Sequence, residues 1–214
     1  MQKTVKSQRP YDASGRRARA EANRQRVLEV ARRLFLADGY GATTVTAIAA
    51  DAQVSAESVY KAFGGKSGLV RAIHERSLLG AGPVPAEQRA NEAQAAETDA
   101  RVLVRRLGTF VTEVAPVVAP VMRLIQDAAA GGDAAMGALL AEVEAARYER
   151  MLHNARTLAG RGLLAQGLTS ERAADVMWMY TAPEIYENMV VERGWTLDEF
   201  GEFVARALAV ALLD

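Results

Sequence analysis

Cysteine is absent from all 214 residues, and histidine occurs twice. Without cysteine there is no disulfide framework, no thiolate zinc site and no cysteine nucleophile, so a reducing compartment is the default. His74 and His153 are too few and too far apart to suggest a metal cluster, and each reads as a surface residue of a charged helix. The start, "MQKTVKSQRPYDASGRRARAEANRQR", is basic but has no apolar stretch of signal-peptide length behind it. The most apolar long stretch, "FVTEVAPVVAPVMRLI", is interrupted by Glu113, Pro116, Pro120 and Arg123, which falls short of a membrane-spanning run. A soluble, cytoplasmic protein with no membrane partner is expected. Strand-type alternation of Val, Ile and Thr is nearly absent, and no repeat period shows. Nor does an order of Ser, His and Asp or a metal-ligand spacing stand out, so neither enzyme nor cofactor is expected.

What the chain does have is apolar content and a divided charge. Half of its residues are apolar, enough for one domain with a large core or a small domain fused to a larger one. The net charge of zero conceals fourteen Lys/Arg against seven Asp/Glu in residues 1–76, and twelve against nineteen in residues 77–214. An asymmetry across a domain-sized block points to a polyanionic partner for the N-terminal part.

Helical periodicity dominates. Val27, Leu28, Ala31, Leu34 and Phe35 recur at helical spacing, and Asp38-Gly39 ends that first helix of about four turns. Short helices are expected over about 45–52 and 56–63, and a longer one over 66–79. "GAGPVPAE", residues 80–87, coincides with the change of charge sign and marks a domain boundary. Beyond it, Leu103, Leu107, Phe110 and Val114 share a helical face, and Pro116 is expected to end that helix or start the next. "GGD" at 131–133 precedes a long helix over about 134–159. Ser170 and Thr196 are cap-like, opening helices over about 170–191 and 197–213. The expected architecture is all-α, with about nine helices, four in a small basic module and five in a larger acidic one.

"AFGGKSGL", residues 62–69, contains a Gly-Lys-Ser that suggests a nucleotide phosphate loop. Such a loop requires G-x-x-x-x-G-K-[ST] entered from a strand, because backbone N–H groups wrap the phosphates too closely for side chains. The first glycine should stand at residue 60, which is Tyr60, and the preceding "SAESVYKAF" reads as helix. Taken from further upstream, Ile48, Ala49, Ala52, Val54, Val59 and Phe63 are the buried positions of two short helices across a tight turn. That is helix-turn-helix spacing. Ser55 sits at an N-cap position with Ser58 three residues on, and the second helix exposes Ala56, Glu57, Ser58, Lys61 and the Tyr60 hydroxyl. Only this face is placed to enter a major groove.

The order of residues in "RVLEVARRLFLADGYGATTVTAIAADAQVSAESVYKAFGGKSGLVRAI" resembles the N-terminal module of the TetR (tetracycline-repressor-like) family of transcriptional regulators. The shared features are "LF…GY" closing the first helix, Thr-Thr before the second, Ile-Ala within it and Val-Ser at the turn. Tyr and Phe three apart in the third helix and a lysine just after it complete the pattern. "TAPEIYENMVVERGW", residues 181–195, also looks like a segment of one branch of these proteins. Two departures are Gln53, where the turn usually has Gly, and Gly64-Gly65, where a Pro is frequent. The resemblance implies phosphate contacts from Thr44, Tyr60 and Lys66, with Thr46, Ala56, Glu57, Ser58 and Lys61 at or near base edges and Ser55 opening the recognition helix. A tyrosine hydroxyl and an ammonium beside a helix N-terminus suit phosphate, and short side chains at the front of the helix suit base reading. Glu57 could accept from cytosine N4 or simply face solvent.

The resemblance divides the chain into a basic, flexible arm at 1–21, a helix-turn-helix DNA-binding domain at 22–79, and a helical ligand-binding and dimerisation domain at 80–214. The arm would follow the DNA backbone or enter the minor groove. A homodimer on a roughly palindromic operator is implied, with its interface on the last two long helices. Candidate effector contacts are Phe110, Met122, Tyr148, Met151, Trp178 and Tyr180, with Met136, His153 and Tyr186 further candidates. Met and aromatic side chains adapt to an apolar small molecule. The function expected is a ligand-responsive regulator, a repressor released by such an effector. The alternative is a helical dimer that binds DNA non-specifically and whose main regulatory partner is another protein.

Overall fold

The computed structural model describes residues 13–80, 84 and 86–213, and the segment so described is helical throughout apart from short connections. The order is α1 (Ala13–Ala42), α2 (Val45–Asp51), α3 (Ala56–Phe63), α4 (Lys66–Ser77), α5 (Ala86–Ala96), α6 (Ala100–Ala130), α7 (Ala134–Gly160), α8 (Ser170–Tyr180), α9 (Pro183–Tyr186), a π-helical turn (Glu187–Glu192) and α10 (Leu197–Leu212). Residues 1–12 of the basic arm lie outside the described residues. From Ala13 onward the arm forms the first turns of α1, which is longer than the four turns expected; it kinks at Gly39, which leaves helical geometry at φ 81°, and continues to Ala42.

Two apolar cores organise the chain. The first joins α1 to α4, through Val27, Phe35, Ile48, Val59 and Leu69, to one half of α6 and the start of α7, through Val121, Ile125, Met136 and Leu139. The N-terminal module therefore shares its core with the larger part; the boundary at 80–87 is a change of charge and connection, not a gap in packing. Arg71 of α4 reinforces the joint by pairing with Glu142 of α7. The second core packs the other half of α6 against α7, α8 and α10, centred on Leu158, Met177, Phe200 and Leu208. Gly108 of α6 and Gly201 of α10 allow the close approach here. A Cβ on Gly108 would lie 2.4 Å from the Gly201 carbonyl oxygen.

Five further sequence expectations change. Pro116 neither ends nor starts a helix: α6 runs 31 residues through Pro116 and Pro120. Each interior proline costs about 3 kcal/mol, but eight large apolar side chains on α6 are buried, from Leu103 to Ile125, and each contributes about 1.5–3 kcal/mol. Burial wins. By length and hydropathy α6 could also cross a membrane, which its interrupted sequence seemed to exclude, although nearly half of its most apolar stretch is buried inside the protein. The helix expected over 170–191 breaks at Thr181-Ala182, because Pro183 has no N–H to continue it and instead begins α9. Thr169, not Ser170, caps α8, its hydroxyl oxygen accepting from Arg172 N at 3.3 Å. Finally, α5 was not expected: "AEQRANEAQAA" has helix-forming residues but no apolar stripe for periodicity to detect.

Candidate nucleic-acid interface and internal cavity

Helices α2 and α3 form a compact pair. Ile48, Ala49 and Ala52 on one side and Val59 on the other are buried, and the turn closes through Val54 N donating to Ala49 O at 3.0 Å. Gln53 occupies that turn at φ 55°, the left-handed region where glycine is favoured. Arg26 of α1 donates to Ala52 O at 2.8 Å, placing a cation on the C-terminal end of α2. Arg33 of α1 pairs with Asp51. Part of the basic block thus fastens the helix pair to α1.

The Ser55 hydroxyl oxygen accepts from Ser58 N at 3.1 Å, and the two hydroxyls lie 2.7 Å apart. Ser55 therefore works as the cap of α3, while Ser58 stands on its exposed face. Glu57, Tyr60 and Lys61 are exposed and Ala56 is half-buried. Glu57 in the first turn and Lys61 in the last also complement the helix dipole, a structural use for Glu57 beside any base contact. On α2, Thr44 and Thr46 are exposed. Thr44 caps α2 by accepting from Ala47 N at 3.1 Å, which leaves its O–H able to donate outward.

Lys66 is the first residue of α4, and Gly65 before it supplies no side-chain cap. The lysine ammonium lies 4.3 Å over the Tyr40 ring and donates to Gly41 O at 3.4 Å. It is thereby held between the end of α1 and the uncapped N-terminus of α4, a combination of cation and free amides suited to a phosphate. Gly64 at φ 76° ends α3 and Gly65 at φ 129° starts α4, so the pair that departs from the usual Pro makes the corner by its own conformational freedom. Gly68 was missed by sequence reasoning; a Cβ there would lie 1.7 Å from the Phe63 carbonyl oxygen. Nothing but tertiary contact marks it out.

A cavity of about 560 Å³ lies between α4, α5, α6 and α7. Phe110, Met122 and Met151 line it. Tyr148, Trp178 and Tyr180 do not. The Tyr148 hydroxyl meets Asp175 at 3.3 Å, Trp178 is at the surface under the Arg147 guanidinium, and the Tyr180 ring packs edge-on against Phe203. Their Met and aromatic character nominated all six but could not say which face of α7 and α8 turns toward α6. Met136, His153 and Tyr186 also lie off its walls: Met136 is in the first core, and the Tyr186 ring meets Phe200. Sequence reasoning missed the polar wall, which includes His74, Arg89, Glu113 and Asn154. The Arg89 guanidinium of α5 grips the Glu113 carboxylate of α6 with two hydrogen bonds, one of 3.1 Å. His74 comes from α4 and, against the surface position expected of it, is buried; burial first, and the Arg71 charge second, hold its pKa below the ordinary 6.5.

A basic module whose second short helix presents a polar face, with phosphate-type donors beside it, defines a helix-turn-helix DNA-binding protein. Residues 27–73 match the model of the bacterial regulatory proteins of the tetR family. Residues 27–73 accordingly form a tetR-family DNA-binding domain. Solved structures share the whole fold. NalD of Pseudomonas aeruginosa, the secondary repressor of the MexAB-OprM multidrug efflux pump, superposes with a TM-score of 0.71 at 18% identity, covering 92% of this chain and 98% of that one. The complex of SmeT with triclosan gives 0.70 at 21% identity, covering 90% and 92%; SmeT is the repressor of the Stenotrophomonas maltophilia pump SmeDEF. A regulator from Saccharomonospora viridis in complex with choline gives 0.66 at 18% identity, covering 91% and 99%. Among curated protein sequences no significant match is found.

Proposed function

We propose that the chain is a ligand-responsive repressor that binds a palindromic operator as a homodimer and is released by a small, largely apolar effector. The observation that carries this reading is the position of α4. His74 and Leu78 near its C-terminal end border the cavity, and Lys66 at its other end stands beside the DNA-facing helix pair. A molecule in the cavity touches the same rigid element that presents the phosphate contact. Linkage then requires that the effector bind better to the arrangement that misplaces α3 than to the one that fits DNA. That relatives of the same fold are repressors, and that some were solved with small molecules, supports the reading.

Base reading falls to Thr46, Ala56, Glu57, Ser58 and Lys61, with Ser55 fixing the start of α3. Phosphate contacts fall to Thr44, Tyr60 and Lys66. Dimerisation is supported by apolar side chains left outside both cores near the C-terminus: Val210 of α10 is 85% exposed and Met179 of α8 is 43% exposed. Two-fold pairing there would set two α3 helices for two half-sites. The test is selection from a random DNA pool by the purified protein at near-physiological salt, followed by sizing of the complex. An enriched palindrome bound by two chains is expected. Binding that ignores sequence and collapses with salt would overturn sequence-specific repression and favour regulation through a protein partner.

A further inference from the structure

Asn154 raises a question that the DNA-binding role leaves open. It lies on α7, borders the cavity, and is 2% exposed. Its carboxamide oxygen has no hydrogen-bond partner among the described residues. Native proteins leave few buried acceptors in this state, because the oxygen gives up its water and receives nothing in return.

The other donors of the wall are committed elsewhere, and Arg150, also of the wall, has a partner within the protein. The Thr181 hydroxyl donates to Met177 O at 2.8 Å, and the Thr109 hydroxyl donates to Arg105 O at 3.3 Å. Arg89 is held on Glu113, Arg106 lies 3.5 Å from Glu97, and Arg147 binds both Glu144 and Trp178 O, the latter at 2.7 Å. Two consequences follow. The oxygen of Asn154 calls for a donor from inside the cavity, and these three arginines of the wall are neutralised by carboxylates that belong to the protein. Most of the remaining wall is apolar, with Leu103, Leu107, Val111 and Val118 among its residues. An ion brought into such a space would lose its hydration while the charges of these three arginines are already paired.

We infer that the cavity takes a neutral, largely apolar molecule that donates one hydrogen bond to the carboxamide oxygen of Asn154. This rests on the reading of the cavity as the effector site. The oxygen is covered by its neighbours, and rotation of the terminal amide, a soft torsion, turns it toward the donor. His74, also of the wall, has its pKa lowered by burial and so brings no charge near neutral pH.

The experiment uses the full chain and a matched pair of probes, 4-hexylphenol and its methyl ether 4-hexylanisole, titrated by calorimetry. The ether is the more apolar of the two, so area burial alone would favour it. The phenol is expected to bind roughly tenfold more tightly to the wild type. In Asn154→Leu, which keeps the branched shape and removes the acceptor, the two affinities should converge; Asn154→Ala makes the same comparison with a smaller side chain. Equal affinities in the wild type, with both abolished by the cavity-filling Ala115→Phe, would overturn the donor assignment and leave the effector site standing. A phenol preference that survives both Asn154 variants would do the same. If neither probe binds the wild type, the effector-site reading falls and the assignment with it.

Discussion

Gly68 offers the sharpest test of how α3 is held for DNA. It stands in the first turn of α4 where that helix passes the end of α3. A Cβ at this position would lie 1.7 Å from the Phe63 carbonyl oxygen and 2.9 Å from its carbonyl carbon. Both atoms belong to the backbone, so no rotamer change relieves the overlap. Bringing the contact even to 3.0 Å from 1.7 Å requires α3 and α4 to separate by roughly 1.3 Å. Overpacking of this kind costs about 1–3 kcal/mol, more when backbone must move, whereas glycine to alanine in a helix by itself gains about 1 kcal/mol. The net for Gly68→Ala is a loss of about 2 kcal/mol, or about 4–8 °C in Tm for a chain of this size. Gly137 in α7 is the control, because a Cβ there meets nothing within 4 Å; Gly137→Ala should gain up to about 1 kcal/mol. Thermal melts followed by circular dichroism read both, and DNA affinity should fall for Gly68→Ala alone. A Tm for Gly68→Ala at or above that of the wild type would refute the packing argument.

Gln53→Gly should raise the urea midpoint by the equivalent of about 0.5–1 kcal/mol, since the residue sits at φ 55° on an exposed turn; an unchanged midpoint would mean that the turn stores no strain. His74 should make stability depend on pH. Its folded pKa lies below the ordinary 6.5, so the unfolded chain takes up the proton first. The contribution of neutral His74 is complete above 6.5 and is lost as pH falls toward the folded value. His74→Gln should flatten that part of the urea-midpoint profile. Lys66→Ala should weaken DNA binding evenly across sequences and lower the salt slope by about 1, whereas Lys61→Ala should change which bases are preferred. Competition assays at several salt concentrations separate the two effects, and equal behaviour of both variants would contradict the division into phosphate and base contacts.

The DNA-facing module was legible because its signals are local. Capping at Ser55, the spacing of Ile48, Ala49, Val59 and Phe63, and the lysine after the third helix all lie within a few turns of one another. Local hydrogen bonds and helical periodicity act over that range, and so the sequence by itself determined an all-α chain with a basic helix-turn-helix end. The charge division likewise needs no coordinates. The larger part followed different rules. Whether α6 passes through Pro116 depends on how much apolar surface distant helices bury against it. That Phe110, Met122 and Met151 border the cavity while Tyr148, Trp178 and Tyr180 do not depends on the rotation of α7 and α8 about their axes, which periodicity leaves undefined. Gly68, Gly108 and Gly201 look like any helical glycine until another backbone is found against each. The unpaired oxygen of Asn154 is likewise a property of its surroundings. Tertiary structure decided these because each is set by which atoms meet across long sequence separations, and spacing along one helix contains no record of the partner on the next.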